Sequence, residues 1–364
     1  MFRVRQQANR LLPNILRIHR SLHTEIAFAF DIDGVLLRSK EPISGASEAL
    51  KLCHDNKIPF ILLTNGGGTS ENQRTAFLSD ALRVPLSPSQ IIQSHTPFKT
   101  LVPEYKKVLA VGSPTVREVA EMYGFEKVVH PMDIVRYDPS IAPFSGVSKD
   151  VRMELSREIP GLDKEPFEAI LVFNDSRDWG ADIQIILDLL NSENGMLNTV
   201  RQARPNAPPM SKPSVPIYFS NNDLVWANQY VLNRVGQGAF RTVIETLYSR
   251  LNYGAQLENT IIGKPTAVTY DFAHHILIKW REKLASGSKN EIPLPKLGVS
   301  PESSPFSKVF MVGDNPASDI IGAHNYGWST CLVRSGVYRD GDPLPCHPTI
   351  IADNVFDAVK RAIG

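Results

Sequence analysis

Two aspartates one residue apart, Asp31 and Asp33, follow a run of apolar and aromatic residues and are followed at once by Gly34. Carboxylates this close repel each other, so they need a cation between them or a proton on one. Polar groups end apolar runs at three later places: Thr64-Asn65-Gly66-Gly67-Gly68, Gly263-Lys264-Pro265 and Gly313-Asp314-Asn315-Pro316-Ala317-Ser318-Asp319. The set is chemically coherent. Asp31 and Asp314, with a backbone carbonyl and water, suit Mg²⁺, a hard ion that takes oxygen donors and few protein ligands. Lysine and hydroxyl groups suit phosphate, and a glycine run can point bare backbone N–H groups at an anion. A carboxylate nucleophile can accept a phosphoryl group covalently. A second carboxyl two residues away can protonate the leaving oxygen and then, ionised, activate water. Mg²⁺ and Lys264 would offset charge on the transferring group.

Such chemistry needs elements that bring these residues to one place. Ile26-Ala-Phe-Ala-Phe30 reads as a strand buried on both faces, as inside a parallel sheet, where sites lie beyond the carboxyl ends of the strands. Ile32 then points away from both aspartates, because strand side chains alternate. A helix is expected over Ser44–Asn56 and a second buried strand over Ile58–Leu63. A helix starting near Ser70 turns its N-terminus toward the glycine loop. Thr260-Ile-Ile reads as a short strand of the same domain leading to Lys264, and Lys308–Gly313 as one leading to Asp314. Four strand ends along one sheet edge would let residues as distant in sequence as Asp31 and Asp314 meet. A helix over Ala267–Leu284, a helix stopping near Gly327, strands near Thr330–Val333 and Thr349–Ile351, and a helix over Asn354–Ala362 complete this outer pattern.

Between about His95 and Arg250 the chain repeats the strand-helix rhythm on its own account. Val108–Gly112, Ala169–Phe173 and Pro216–Ser220 read as strands, each followed by a helix, with long irregular stretches between them. The expected organisation is residues 25–94 and 251–364 as one domain, with 95–250 inserted as a smaller α/β domain. Asn174, Asp175 and Asp178 follow one inserted strand, and Asn221, Asn222 and Asp223 another. They could face a substrate, and ordinary turn chemistry explains them equally well. Gly236-Gln-Gly238 reads as a helix start. His274 and His275, inside a helix and without metal-ligand spacing, read as packing or surface residues.

A chain of 364 residues suits two domains. Its 42% hydrophobic and 21% charged content is that of a globular protein, and its net charge of +1 gives no reason to expect nucleic acid or an anionic membrane as partner. Cys53, Cys331 and Cys346 are far apart and form no CxxC pair, which argues against a disulfide framework or zinc cluster. No apolar run reaches the roughly 18–20 residues of a transmembrane helix. The start of the chain is distinctive: Arg3, Arg5, Arg10, Arg17 and Arg20 precede the first acid, Glu25. Leu11, Ile15, Ile18 and Leu22 share one helical face. Residues 1–24 therefore read as a mitochondrial transit peptide, with the matrix as destination. A dinucleotide enzyme is excluded, because the first strand runs into DIDG rather than GxGxxG.

The motifs DIDGV, LLTNGG, GKP and GDNPASD, in that order, resemble the four motifs of the haloacid dehalogenase superfamily. An α/β domain inserted between the second and third resembles its C2 cap class, subfamily IIA, found in nucleotide and phosphoglycolate phosphatases. FAFDIDGVLLRS, LVFNDSRDWGADIQIILDLL and FMVGDNPASDIIGAHNYGW resemble more closely the cat-eye-syndrome critical region group, also called haloacid dehalogenase-like hydrolase domain-containing proteins.

The resemblance implies an α/β fold: a Rossmann-like doubly wound parallel sheet core with an inserted α/β C2-type cap. It implies Asp31 as nucleophile and metal ligand, and Asp33 as general acid/base, with its backbone carbonyl also on the metal. Thr64 would hydrogen-bond the phosphoryl oxygens, with Asn65 and Gly66 beside it. Lys264 would neutralise Asp31 and the phosphoryl group, and Asp314 would complete the Mg²⁺ site. Asp319, with Asn315, would order the groups around the metal. Asn222 and Asp223 are candidate substrate contacts from the cap. The glycines Gly66-Gly67-Gly68 depart from related C2 phosphatases, which carry more polar residues there. The expected activity is hydrolysis of a small phosphomonoester. A lipid phosphate of glycerophospholipid synthesis is the alternative substrate, and a binding or scaffold protein with little turnover the alternative class. A homodimer through the cap is the expected assembly.

Overall fold

The computed structural model describes residues 26–201, 211–226, 230, 232–288, 290 and 292–364. The transit peptide expected over residues 1–24, and residues 202–210 within one of the long irregular stretches expected between the inserted strands, lie outside the described residues. Two sheets made only of parallel strands dominate the rest. In chain order their strands are β1 (Ile26–Phe30), β2 (Phe60–Leu63), β3 (Ile91–Ile92), β4 (Lys107–Val111), β5 (Lys127–Val129), β6 (Ala169–Val172), β7 (Ile217–Phe219), β8 (Thr260–Ile261), β9 (Lys308–Gly313), β10 (Ser329–Val333) and β11 (Ile350–Ala352).

The chain divides into two compact units. The first holds the described residues up to Thr64, with Glu71–Ile92 and Lys264–Gly364; the second holds Asn65–Ser70 and Gln93–Gly263. The first unit's six strands run in the order β11-β10-β9-β1-β2-β3. The alternation in β1 explains how this sheet is covered. Phe28 and Phe30, stacked at 5.4 Å, face one core layer with Leu50, Leu62, Leu78 and Val355. Ala27 and Ala29 face the other, with Tyr270, Ala273 and Leu277 of the helix Ala267–Ser286. Large residues on one face and small ones on the other let helices cover both sides, giving a doubly wound unit. Successive connections leave β1 toward β2 on one side and the later part of the chain builds β9 on the other. The order therefore reverses between β1 and β9, where open α/β sheets hold their ligands.

The inserted unit's five strands run in the order β8-β7-β6-β4-β5. Here the structure corrects the sequence reading. Thr260 and Ile261 pair with Tyr218 and Phe219 of β7, so this strand belongs to the inserted sheet and the return comes at Lys264 rather than residue 251. A two-residue strand carries no signal of which sheet it joins, because pairing partners are set by tertiary contacts. The equally short β3 went unanticipated for the same reason. His274 stacks among Phe306, Tyr326 and Trp328, and His275 meets the Val299 carbonyl, so both have packing roles. Cys53 and Cys331 are buried and free. No helix among the described residues is long and apolar enough to cross a membrane.

One buried histidine makes the inserted unit sensitive to acid. His130 precedes the helix Pro131–Tyr137; its Nδ1 accepts the Met132 N–H at 3.2 Å, while Asp133 accepts the His130 N–H at 2.8 Å. Burial pushes the imidazole down to about 4, with Arg117 adding to the decrease and the Gly112 carbonyl opposing it. Below about pH 6.5 the unfolded chain takes up a proton that the folded one refuses, so stability falls as pH drops from there to about 4. The full contribution is about 3 kcal/mol. His130→Asn keeps a capping acceptor and should flatten this part of the profile in urea unfolding at pH 5 and pH 7.5. An unchanged slope would refute the assignment.

Candidate active site

Asp31 sits one residue past β1, its N–H donated to the Val312 carbonyl at 2.9 Å. Asp314 sits one residue past β9, so the two aspartates leave adjacent strands at the point where the sheet order reverses. Asp31, Asp314 and Asp319 are all buried, and each offers an oxygen within 4.8 Å of the others. Lys264 lies among them, 2% exposed. Its Nζ donates to Asp31 Oδ1 at 2.7 Å, to Asp319 Oδ1 at 2.6 Å and to the Leu63 carbonyl at 2.9 Å, which uses all three ammonium protons. The other oxygen of Asp319 accepts the Asn315 N–H at 3.0 Å. Asn315 turns its own side chain onto the Ala317 N–H, where a five-residue π-helical turn, Pro316–Ile320, carries Asp319 back toward Lys264.

The electrostatics follow from three acids and one base in a dry place. Burial raises Asp31 well above the ordinary carboxylate range; Lys264 opposes this, and Asp319 and Asp314 add to it. Burial, reinforced by Asp319, pushes Asp314 up to about 7. Lys264 is held above its ordinary value because Asp31 and Asp319 outweigh its own burial. Asp319 has both oxygens engaged by the protein. Asp31 and Asp314 are the carboxylates left to meet a cation, and their crowding suits a divalent, oxygen-seeking ion. Two glycines make room for Asp314. A methyl on Gly34, where φ is +87°, would stand 2.4 Å from Asp314 Oδ2, and one on Gly336 would stand 1.8 Å from it. That same oxygen accepts the Val337 N–H at 2.7 Å.

Asp33 differs from this trio. The Ile32 carbonyl accepts the N–H groups of Leu36 and Leu37 at 2.9 Å, a tight turn that leaves the Asp33 side chain 58% exposed. Arg74 approaches it at 3.7 Å, a loose pair of small energetic weight. Crowding by protein atoms raises the Asp33 carboxyl against the pull of Arg74 and Lys264, and solvent limits the rise. Its carboxylate is outside the acidic trio.

Thr64 is buried at the end of β2, its N–H donated to the Ile92 carbonyl at 3.0 Å. The next residues belong to the inserted unit. There Asn65 Nδ2 donates to both oxygens of Asp223 at 3.2 Å, and Asn221 Nδ2 donates to the Asn65 carbonyl at 3.1 Å. The Gly66 carbonyl accepts the Ser94 N–H at 3.3 Å, and Asn222 accepts from Arg241 at 2.9 Å. The structure thus gathers Asp31, Lys264, Asp314, Asn315 and Asp319 into one cluster and Asn65 with Asp223 into another. The expected anion cradle needs correction at Gly68, whose N–H is donated to His95 Nε2 at 2.9 Å. Lys264 also reaches its cluster differently from the expectation, from the end of the inserted sheet rather than a core strand. Sequence reasoning missed His95, Arg74 and the Val337 N–H; none carries a motif, and only the strand-end position of His95, three residues past β3, could have drawn notice.

Comparison with known proteins accords with this geometry. A family model described as haloacid dehalogenase-like hydrolase matches residues 28–126, and one for related hydrolases of the same superfamily matches 261–358. The mitochondrial hydrolase YKR070W of Saccharomyces cerevisiae is 60% identical over 350 residues, 95% of this chain and 98% of that protein. A cardiolipin synthase (CMP-forming)/mitochondrial hydrolase fusion protein of Schizosaccharomyces pombe is 39% identical over 346 residues, 93% of this chain and 53% of that one. The 4-nitrophenylphosphatase of Thermotoga maritima shares the fold, with a TM-score of 0.56 at 14% identity, covering 93% of this chain and 98% of that one. So does NagD of E. coli, at 0.51 and 19%, covering 91% and 97%. Its two strand-end clusters, its inserted sheet and its identity to a mitochondrial hydrolase have one reading: the chain is a mitochondrial enzyme belonging to the haloacid dehalogenase-like hydrolases.

Proposed function

We propose that the chain is an Mg²⁺-dependent phosphomonoesterase that works through an aspartyl-phosphate on Asp31. The observation that carries this reading is the buried Asp31–Lys264–Asp319 arrangement beside Asp314, which holds one carboxylate oxygen of Asp31 on a fixed cation. The Asp31 carboxylate attacks phosphorus, and the bond from phosphorus to the leaving oxygen breaks. Asp33, on its exposed turn and with a raised affinity for its proton, gives that proton to the leaving oxygen. The Asp33 carboxylate then takes a proton from water, which attacks the phosphoryl-aspartate and releases inorganic phosphate. Thr64, with the Asn65 and Gly66 backbone, holds the phosphoryl oxygens, and Lys264 offsets their charge. Asp31, Asp314 and the Asp33 carbonyl would hold Mg²⁺, which would supply further neutralisation of the transferring group. The inserted unit acts as a cap that selects the leaving group, and a small phosphorylated metabolite is the favoured substrate.

One observation favours a second substrate class. The S. pombe relative is fused to a cardiolipin synthase, which supports a glycerophospholipid precursor bearing a phosphomonoester. Phosphate release from a panel of both kinds, with Mg²⁺ and with chelator, tests the reading. Metal-dependent release is expected, and the better class names the substrate. No release from folded, Mg²⁺-supplied protein would leave a binding protein instead. Assembly as a homodimer through the inserted unit is also part of this reading. Leu224, Val225, Trp226, Leu232 and Val235 are all exposed on or beside its two-stranded ribbon, Val225–Trp226 with Arg234–Val235. Trp226→Glu should halve the mass seen by light scattering; a wild-type monomer would end the dimer reading.

A further inference from the structure

The inserted sheet has a switch point of its own. β4 has β5 on one side and β6, β7 and β8 on the other, so a crevice opens between the carboxyl ends of β4 and β6. In a free-standing sheet of this order a ligand would lie there. In this chain the crevice holds the Gly66–Gly68 loop. Asn174, just past β6, spans it to Ser113, just past β4, accepting the Ser113 N–H at 2.8 Å and donating to Ser113 Oγ at 3.1 Å. A methyl on Gly68, where φ is +102°, would stand 2.2 Å from Asn174 Nδ2, and one on Gly67 would stand 2.6 Å from the His95 ring. The loop is also bonded at both faces. The Gly68 carbonyl accepts from Thr115 Oγ1 at 2.9 Å and its N–H goes to His95. Because His95 Nε2 accepts, the ring proton sits on Nδ1 and is donated to Tyr123 Oη at 2.7 Å. Gly67 and Gly68 are therefore explained by close entry into a crevice.

The same region receives a second passage of the chain. A methyl on Gly263, at φ +94°, would stand 2.6 Å from the Ser220 carbonyl and 3.1 Å from Asn65 Oδ1. Asn65 and Gly263 thus meet in the polar knot built by Asn221 and Asp223. Each is one peptide bond from a residue of the proposed phosphate site, Thr64 and Lys264 respectively.

We infer that His95 and Asp223 are positioning residues for phosphate binding: they seat the Asn65–Ser70 loop in the inserted unit's own crevice and so fix Thr64 at the end of β2. This makes Asp223 a holder of Asn65 rather than a substrate contact, and it rests on the proposed role of Thr64. The test is inhibition by inorganic phosphate of the full chain with Mg²⁺, measured beside Mg²⁺ affinity. Thr64→Ala should weaken inhibition at least tenfold. Asp223→Ala and His95→Ala should each weaken it about fivefold or more with Mg²⁺ affinity unchanged, and His95→Gln, which keeps an acceptor, should recover most of the loss. Asp223→Ala added to Thr64→Ala should cost less than the product of the two single losses, because both act on one phosphate-holding turn. If Asp223→Ala fails to bind Mg²⁺, Asp223→Asn takes its place, with a smaller loss expected. Wild-type phosphate inhibition in the loop variants, or losses that multiply in the double variant, would overturn the inference. Thr64→Ala without effect would instead remove the role of Thr64, and the inference with it.

Discussion

Lys264→Met should lose about 3–5 kcal/mol of stability and at least about 10³-fold in turnover. Methionine can fill the space of the lysine stem, so the loss is electrical. Lys264 is 2% exposed and its three protons go to Asp31, Asp319 and the Leu63 carbonyl. Without it two buried carboxylates face each other across the vacated position, with Asp314 nearby, and neither can be rehydrated cheaply. The stability loss should be smaller at low pH, where the carboxyls take up protons. A second change separates fold from chemistry. Lys264→Met with Asp319→Asn should recover much of the unfolding free energy in urea and none of the turnover. Recovery of turnover as well would show that Lys264 serves the fold alone.

Asp31→Asn should abolish turnover, by about 10⁴-fold or more as when a covalent nucleophile is removed, while leaving a protein that is harder to unfold in chelator. The sign comes from the direction of the Asp31 shift. Its carboxyl is raised well above its ordinary value, so in metal-free protein there is a pH range in which the folded state keeps a proton that the unfolded chain has released. Stability from this group is present below the ordinary carboxylate value and is lost as pH rises through the raised one. Asparagine cannot ionise and escapes that loss. The variant should therefore exceed wild type in chelator at pH 8, and should gain less from added Mg²⁺ because a ligand is missing. A variant less stable than wild type under chelator would mean that the Asp31–Lys264 pair outweighs the crowding of the acids. Residual turnover near the wild-type rate would exclude Asp31 as nucleophile.

The site was legible where chemistry is written into short strand-end phrases. Asp31 ends a buried apolar run, and Asp314 and Asp319 end another, so their placement follows once the runs are read as parallel strands. Lys264 was found by its type and by its neighbours Gly263 and Pro265, but its route was misread, because two residues of strand do not reveal their sheet. Glycine was the most ambiguous signal. A bare N–H for an anion and a missing Cβ for tight packing give the same letter, and at Gly68 both the donor and the space serve the protein itself. His95, Arg74 and the Val337 N–H act through position alone, and a backbone donor has no signature in sequence.

The inserted unit is discontinuous: Asn65–Ser70 belongs with Gln93–Gly263, although a whole helix and strand of the first unit separate them. This sets the rule for building chimaeras with relatives. Exchanging Gln93–Gly263 alone would leave the resident hexapeptide to fit a foreign crevice, with Gly67 and Gly68 facing side chains chosen for another loop. A graft that carries both segments together keeps lock and key from the same parent. The exchangeable folding module in this enzyme is thus a pair of segments, and recombination between relatives that splits the pair should yield misfitted offspring.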